Sequence, residues 1–200
     1  MSALPTPPSW SQGLLRLFLS RSDSETVSGD LLEHYRESIR SERSQSAADW
    51  WYLRQVLGFV VRETRFWAAW LGLAYISRQA WDWFAPTNDF YTRSALSTAV
   101  HAGILLACGF WAAWRSGSLL AGTVAGFAAT AIGAVVSILG SAVLLAIWHD
   151  PQTTAAINGS GGLDEAFWLP VMIILPGALI GTMGGVLGAA LRRVGPARSA

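Results

Sequence analysis

The sequence predicts an all-α protein, an integral membrane four-helix bundle carrying an N-terminal cytoplasmic helical head. Three observations carry that reading. Charge is partitioned along the chain, with sixteen of the twenty-seven Asp, Glu and Arg residues before Phe66 and eleven from there on. Beyond that point apolar runs recur, each near the roughly 20 residues that a helix needs to cross a hydrocarbon core about 30 Å thick. Composition agrees: 52% hydrophobic residues, eleven Trp and a mean hydropathy of +0.36 are ordinary in lipid and unusual in water.

Residues 1–9 read as a flexible N-terminus. They hold neither a basic start nor an apolar stretch, so no cleavable signal is expected. Residues 10–65 read as the head, built from three helices. The first, residues 10–19, is short and apolar behind Pro7 and Pro8. The second, residues 23–41, opens on Ser22 or Ser24 as a cap and repeats Val27, Leu31, Tyr35 and Ile39 as one buried stripe. The third, from residue 47 to about 65, places Trp50, Leu53, Leu57, Val60 and Thr64 on one face. It either lies in the membrane interface or runs straight into the first span.

Residues 66–191 read as the membrane body, with spans at 66–84, 94–114, 119–148 and 167–191, followed by a cytoplasmic tail at 192–200. The connections contain Pro86, Ser116 to Ser118, and a glycine-rich outside turn from Asn158 to Gly162. The third span is long for one crossing, which implies tilt or extension past the interface. Arg residues are retained on the cytoplasmic side. Arg54, Arg62 and Arg65 precede span one, Arg115 lies between spans two and three, and Arg192, Arg193 and Arg198 follow span four. Both termini are therefore expected in the cytoplasm, and the chain in a bacterial inner membrane. Trp67, Trp70, Trp81, Trp83, Trp111, Trp114, Trp148 and Trp168 fall near span ends, where indoles favour the headgroup level. The pentapeptide Phe-Trp-Ala-Ala-Trp occurs at Phe66 to Trp70 and again at Phe110 to Trp114, and on antiparallel spans the copies would share one interface.

Two short motifs stand in the head: Gly29-Asp-Leu-Leu-Glu-His-Tyr-Arg36, and fifteen residues later Trp51-Tyr-Leu-Arg-Gln-Val-Leu57. Together they resemble the bacterial permease prefix domain, a helical cytoplasmic module found ahead of some macrolide-export-type ABC permeases and in small stand-alone membrane proteins. The resemblance covers about residues 14–61. It implies a protein partner, either a component of an ABC-type transport system or a second copy of the chain. The large extracytoplasmic domain of such permeases is missing, so the resemblance implies a permease-associated or stand-alone relative. Trp51, Tyr52, Arg54 and Gln55 are the candidate docking residues; packing of the third head helix on the second explains them equally well.

In the body, small residues follow helical spacing. Thr123, Gly126, Thr130, Gly133, Ser137 and Gly140 alternate by three and four along span three, and Gly177, Gly181, Gly184 and Gly188 do so along span four. Small residues let membrane helices approach closely. Spans three and four are expected to pack face to face and antiparallel along these stripes, with close packing favoured over a sliding seam. Pro176 should loosen span four by removing the hydrogen bond to the Met172 carbonyl.

Ionisable residues inside spans are functional candidates because burying them is costly. Arg78 and Asp82 stand four apart and can pair, though snorkelling from the outer end of span one is the simpler reading. His101 shares a face with Ser94, Ser97 and Cys108. That polar stripe suggests a proton or substrate path, against a hydrogen-bonded interhelical histidine.

Catalytic, cofactor and metal sites are not expected. The single cysteine excludes an intrachain disulfide or a thiolate cluster. His34, His101 and His149 are scattered, and no nucleophile elbow or phosphate loop is present. A net charge of +1, with eight Arg balancing eight acids in the head, gives no support to nucleic-acid binding. The expectation is a non-enzymatic membrane protein, an accessory or regulatory component of an ABC-type transport system, in contact with lipid and binding a partner through its head. The alternative is a small transporter or channel subunit with a polar path through spans one and two.

Overall fold

A computed structural model of the chain describes residues 6–19, 21–39, 44–85, 89–159 and 162–194. Every regular element among them is helical. The residues expected as the extreme N-terminus (1–5) and the end of the tail (195–200) lie outside this set, as do Ser41, Pro86 and part of the glycine-rich turn.

Helix α1, Ser9–Phe18, starts directly after Pro8, and the Ser11 hydroxyl donates to the Pro8 carbonyl at 2.6 Å. Helix α2, Arg21–His34, begins earlier than expected, so Ser22 and Ser24 fall inside its first turn rather than ahead of it. It ends in a π-helical turn, Tyr35–Ile39. Val27, Leu31 and Tyr35 do face the head core, joined by Leu15, Ala48, Tyr52 and Val56.

The third head helix does not lie flat in an interface. It continues without a break into the segment expected as span one, giving α3, Gln45–Phe84, of 40 residues. At 1.5 Å per residue α3 is about 60 Å long, twice a hydrocarbon core. Its buried line is Ala48, Tyr52, Val56, Val60, Thr64 and Ala68. The expected face is therefore corrected: Val60 and Thr64 are buried, but Trp50 and Leu57 are 59% and 42% exposed. Trp50 stands two residues from Ala48, about 200° around the helix, and so falls on the face opposite the buried line.

Helix α4, Phe90–Ser116, is capped by the Asp89 carboxylate, which accepts from the Thr92 amide at 3.0 Å. It stops at Gly117, whose φ of 76° is a left-handed conformation that glycine adopts without steric cost. Helix α5, Leu119–Ile147, follows at once. The next connection, expected as a loop over residues 149–166, instead holds α6, Pro151–Gly159, and the start of α7, Gly162–Met172. Asp150 caps α6, accepting from the Gln152 and Thr153 amides and the Thr153 hydroxyl, and these bonds hold its carboxyl below the usual range. The expected fourth span, 167–191, is corrected as well. The helix is interrupted at Ile173, between α7 and α8, Ile174–Val194. Pro176 has no amide to offer the Met172 carbonyl, so the turn opens there.

Three helices are long and apolar enough to cross a membrane: Tyr91–Ser116, Leu119–Ile147 and Ile174–Val194. The chain is a membrane protein. The segment 66–84 is not among the three, since Arg78, Gln79 and Asp82 interrupt its apolar run. It packs alongside them nonetheless. Ala68, Leu71 and Gly72 meet Gly133 and Val136 of α5, and Ile76 meets Gly140. The pairing advances together along both helices, so α3 and α5 run parallel.

The small-residue stripes divide their contacts. Thr123, Gly126 and Thr130 of α5 meet α8 as expected: the Thr123 and Thr182 hydroxyls hydrogen-bond at 2.8 Å, and Gly126 and Thr130 close on Gly177 and Gly181. Further along the stripe, Gly133 and Gly140 do not meet α8. Gly133 and Gly140 face α3, and Ser137 is fully buried. On α8, Gly184 and Gly188 turn to the backbone of Leu106 and Phe110 on α4 rather than to α5. Face-to-face packing of α5 and α8 is therefore antiparallel, but limited to part of each stripe.

Head and body meet at Phe18 of α1, buried with Val60 and Leu71 of α3, Leu105 and Cys108 of α4, and Ala125 and Ala129 of α5. Burying one such ring stabilises by about 1.5–3 kcal/mol. At this end Glu63 pairs with Arg115, and Arg192 donates to the Arg115 carbonyl at 2.7 Å. The two Phe-Trp-Ala-Ala-Trp copies come together here, with Trp67 and Trp111 lining one small pocket.

Candidate functional site

At the opposite end of the bundle, α3 and α4 bring four ionisable groups into one neighbourhood. Arg78 and Asp82 are one turn apart on α3, and their salt bridge forms at 2.5 Å. The second Asp82 oxygen accepts from Arg93 of α4 at 2.6 Å, so one carboxylate serves two guanidiniums. The three side chains are only 14%, 12% and 8% exposed. This is a buried triad, not a pair of side chains snorkelling to water. Arg93 also lies 5.8 Å from the Trp81 ring.

Glu165 of α7 shares a pocket with Arg78 and Asp82 on the far side of α3. Burial pushes its carboxyl up, an effect that Arg78 opposes and Asp82 reinforces. Gln79 ties three helices in the same region. Its amide donates to the Ala166 carbonyl at 3.1 Å and accepts from the Ser141 hydroxyl of α5. Trp83, Ile157 and Ala166 close the apolar floor beneath.

On the near side, α3 and α4 diverge to leave a cleft of about 300 Å³. Arg78 and Arg93 lie at its polar end, and Leu73, Val100 and Ile104 line the remainder with Trp70 and Trp81. His101 is on its floor, 8% exposed. Its Nδ1 donates to the Ser97 carbonyl at 2.6 Å, and the ring packs 4.1 Å from that of Tyr75. Its Nε2 has no hydrogen-bond partner among the described residues.

The structure thus brings Arg78, Asp82 and His101 to one region and adds Arg93, Glu165 and Gln79, which the sequence reading left out. Arg93 carried a signal: it is the sole Arg in a flank where positive residues should be scarce, and a buried carboxylate neutralises it. The polar stripe on α4 is corrected. Ser97 and His101 line the cleft, but Cys108 is buried in the core at the other end, against the head. No continuous polar face joins them.

The head motifs come together as well. Tyr35 and Tyr52 meet edge to face at 5.9 Å, and His34 and Trp51 at 5.1 Å. The Tyr35 hydroxyl donates to Asp49 at 2.6 Å and accepts from Gln45 at 2.8 Å. Of the four candidate docking residues, Tyr52 is 0% exposed, and burial pushes its hydroxyl above the usual phenol range against the influence of Arg16. Trp51 is half-buried in the same cluster. Both serve the head core. Arg54 and Gln55 are exposed. Beside Arg54 stands an apolar line that the sequence assigned in part to the interior: Trp50, Leu57 and Val61 are 59%, 42% and 47% exposed.

No protein family, curated protein or solved structure matches this chain. The reading of both regions rests on their chemistry. Among the described residues, no three His, Cys, Asp or Glu side chains come together in a group suited to a metal ion.

Proposed function

We propose that the chain is a non-enzymatic, multi-pass protein of a bacterial inner membrane, an accessory or regulatory component of a transport system that engages its partner through the head. The observation that carries this reading is α3. A single 40-residue helix joins the exposed Trp50, Arg54, Leu57 and Val61 line to the membrane body without a hinge. Force or position applied at the head is transmitted along a rigid rod about 60 Å long. The ABC type of the partner is supported by the head motifs alone.

The second half of α3 serves as a fourth span in this reading, the charge at its polar end partly offset by pairing of Arg78 and Arg93 with Asp82. Charge supports a cytoplasmic head. Arg62, Arg65, Arg115, Arg192 and Arg193 gather at the head end with Glu63, whereas Asp82, Asp89, Asp150, Asp164 and Glu165 outnumber Arg78 and Arg93 at the other. Gly159→Cys introduces a thiol where nothing lies within 4 Å, and the native Cys108 is buried. In intact cells that thiol is expected to react with an impermeant maleimide added outside; labelling only after lysis reverses the orientation.

Trp50→Ala in the full chain is expected to weaken capture of a transport component at least tenfold, about the loss typical of an exposed aromatic anchor. Thermal unfolding should stay unchanged. Undiminished capture by Trp50→Ala combined with Arg54→Ala sinks the docking face. A second reading, a small transporter, is favoured by the placement of Arg78 and His101 on one cleft. It requires His101→Ala to abolish flux in proteoliposomes while partner capture persists.

A further inference from the structure

We propose that the head docks front to back on a second copy of the chain, the α3 face of one copy seating in a cleft on the α2 side of the next. The inference does not rest on capture of a transport component. A neighbouring copy holds the same α3 face when no such component does.

The two surfaces are complementary in charge. On α3 between Gln45 and Arg65 the exposed side chains include Arg54, Arg62 and Arg65 but no acid. The acids of this stretch are engaged elsewhere, Asp49 by Tyr35 and Gln45, and Glu63 by Arg115. Arg54 and Arg65 make no ion pair among the described residues. On α2 and its π-helical end the sign is reversed: Glu25, Asp30, Glu33 and Glu37 are exposed, and Arg36 is only partly so. Glu25, Asp30 and Glu33 likewise make no ion pair among the described residues. Opposite charges on two faces of one head draw copies together and fix their register.

The shapes agree as well. Beside Glu25 a cleft of about 710 Å³ opens among Leu19 of α1, Gly29 and Leu32 of α2 and Ser116 of α4, with Arg16 also on its wall. Among the described residues none from α3 lines it. Helix α1 packs on the buried line of α3, with Leu15 in one core with Tyr52 and Val56. The cleft and the exposed ridge of Leu57 and Val61 therefore belong to different sides of the head. In a neighbouring copy that ridge meets Leu19 and Leu32, and Arg62 meets Glu25.

Copies in one membrane stand side by side at one height, so levels must match. Helix α2 runs antiparallel to α3. Tyr35 meets Asp49 and Tyr52 at the far end, and at the membrane end Glu25 shares the cleft with Ser116, next to the Arg115 that pairs with Glu63. Between these anchors Glu33 falls level with Arg54, Gly29 with Gly58, and Glu25 with Arg62. Gly29 and Gly58 are exposed, and nothing lies within 4 Å of a Cβ at either. Glycine weakens a helix interior relative to alanine; at one height on both faces it lets two backbones approach. Lipid is a poorer occupant of the α3 face, because Arg54 stands about 18 Å along the axis from Phe66, beyond a Debye length of about 8 Å.

Contact between two different patches is heterologous and builds rows or rings rather than a closed pair. The test is oxidative crosslinking, in membranes, of the full chain carrying Gly29→Cys with Gly58→Cys, the native Cys108 being buried. A ladder extending past two copies is expected. Either cysteine alone should give none, and a mixture of the two single variants should stop at a dimer. Arg54→Glu with Arg62→Glu in the double-cysteine chain should slow crosslinking about tenfold, and adding Glu25→Arg with Glu33→Arg should restore it. A ladder from Gly58→Cys alone, crosslinking unaltered by the Arg changes, or no rescue by the swapped charges overturns the proposal. Capture of a transport component is read separately by Trp50→Ala, so failure of self-docking leaves that reading standing.

Discussion

Gly181→Ala is expected to destabilise the membrane body by about 1–3 kcal/mol, the usual cost of overpacking a close contact, and Gly181→Leu by more. A Cβ at Gly181 would lie 2.7 Å from the Gly122 carbonyl oxygen and 2.8 Å from the Gly126 Cα. Those obstacles are backbone and cannot rotate aside as a side chain would. The same stretch of α8 already presses its carbonyl on Gly109 of α4, so α8 cannot escape the clash by moving toward α4. Separation of α5 from α8 would also stretch the Thr123–Thr182 hydrogen bond. Gly103→Ala is the control. Nothing lies within 4 Å of a Cβ there, and Ala is favoured over Gly in a helix by about 0.8–1.0 kcal/mol. The two substitutions should move the thermal unfolding midpoint in detergent in opposite directions. Shifts of the same sign and size would show that α5 and α8 do not meet at these glycines.

Asp82→Ala is expected to cost about 3–5 kcal/mol, as is typical when one partner of a buried ion pair is removed. The carboxylate accepts from both Arg78 and Arg93, and its loss leaves two guanidiniums in a region nine-tenths closed to solvent. Glu165 limits the damage. Without Asp82 one influence raising its carboxyl pKa disappears, so it ionises more readily and offsets part of the Arg78 charge. Asp82→Ala with Glu165→Gln should therefore be worse than the sum of the single changes, a coupling that a double-mutant cycle reads directly. Replacing Arg78, Asp82 and Arg93 together by Leu should be close to neutral for stability, because apolar residues can replace a buried ion triad without penalty. If the triple variant unfolds as readily as Asp82→Ala, the triad does more for the fold than balance its own charges.

The head stripe of Val27, Leu31 and Tyr35 was legible because α2 has one apolar face. On α3 two faces are apolar, and periodicity cannot say which of them meets the core. Trp50 and Leu57 look like core residues by size, but the face that meets Tyr35 carries Ala48, Tyr52 and Val56 instead. The glycine stripes were legible as close-packing surfaces, although their partners were not. A repeat of 3.5 residues on a helix of 3.6 drifts by about 20° every seven residues. That drift is too small to change the neighbour within one turn: Thr123 to Thr130 meet α8 and Gly133 and Gly140 meet α3 because a different helix lies against each part of α5.

The triad shows the same division. Arg78 and Asp82 are visible as neighbours because their spacing lies within one helix. Arg93 enters from another helix, and Glu165 from a segment read as loop. Sequence alone determined that the chain is helical, that apolar helices beyond Phe66 belong in lipid, and that charge is concentrated ahead of them. Those properties are sums of local terms, the transfer of each side chain from water and the turn each residue favours. Only the tertiary structure decided which face of α3 is core, which helix each glycine touches, and that the carboxylate of Asp82 holds two guanidiniums. Those outcomes depend on the fit of surfaces distant along the chain, where a few tenths of an ångström at one backbone contact select the neighbour.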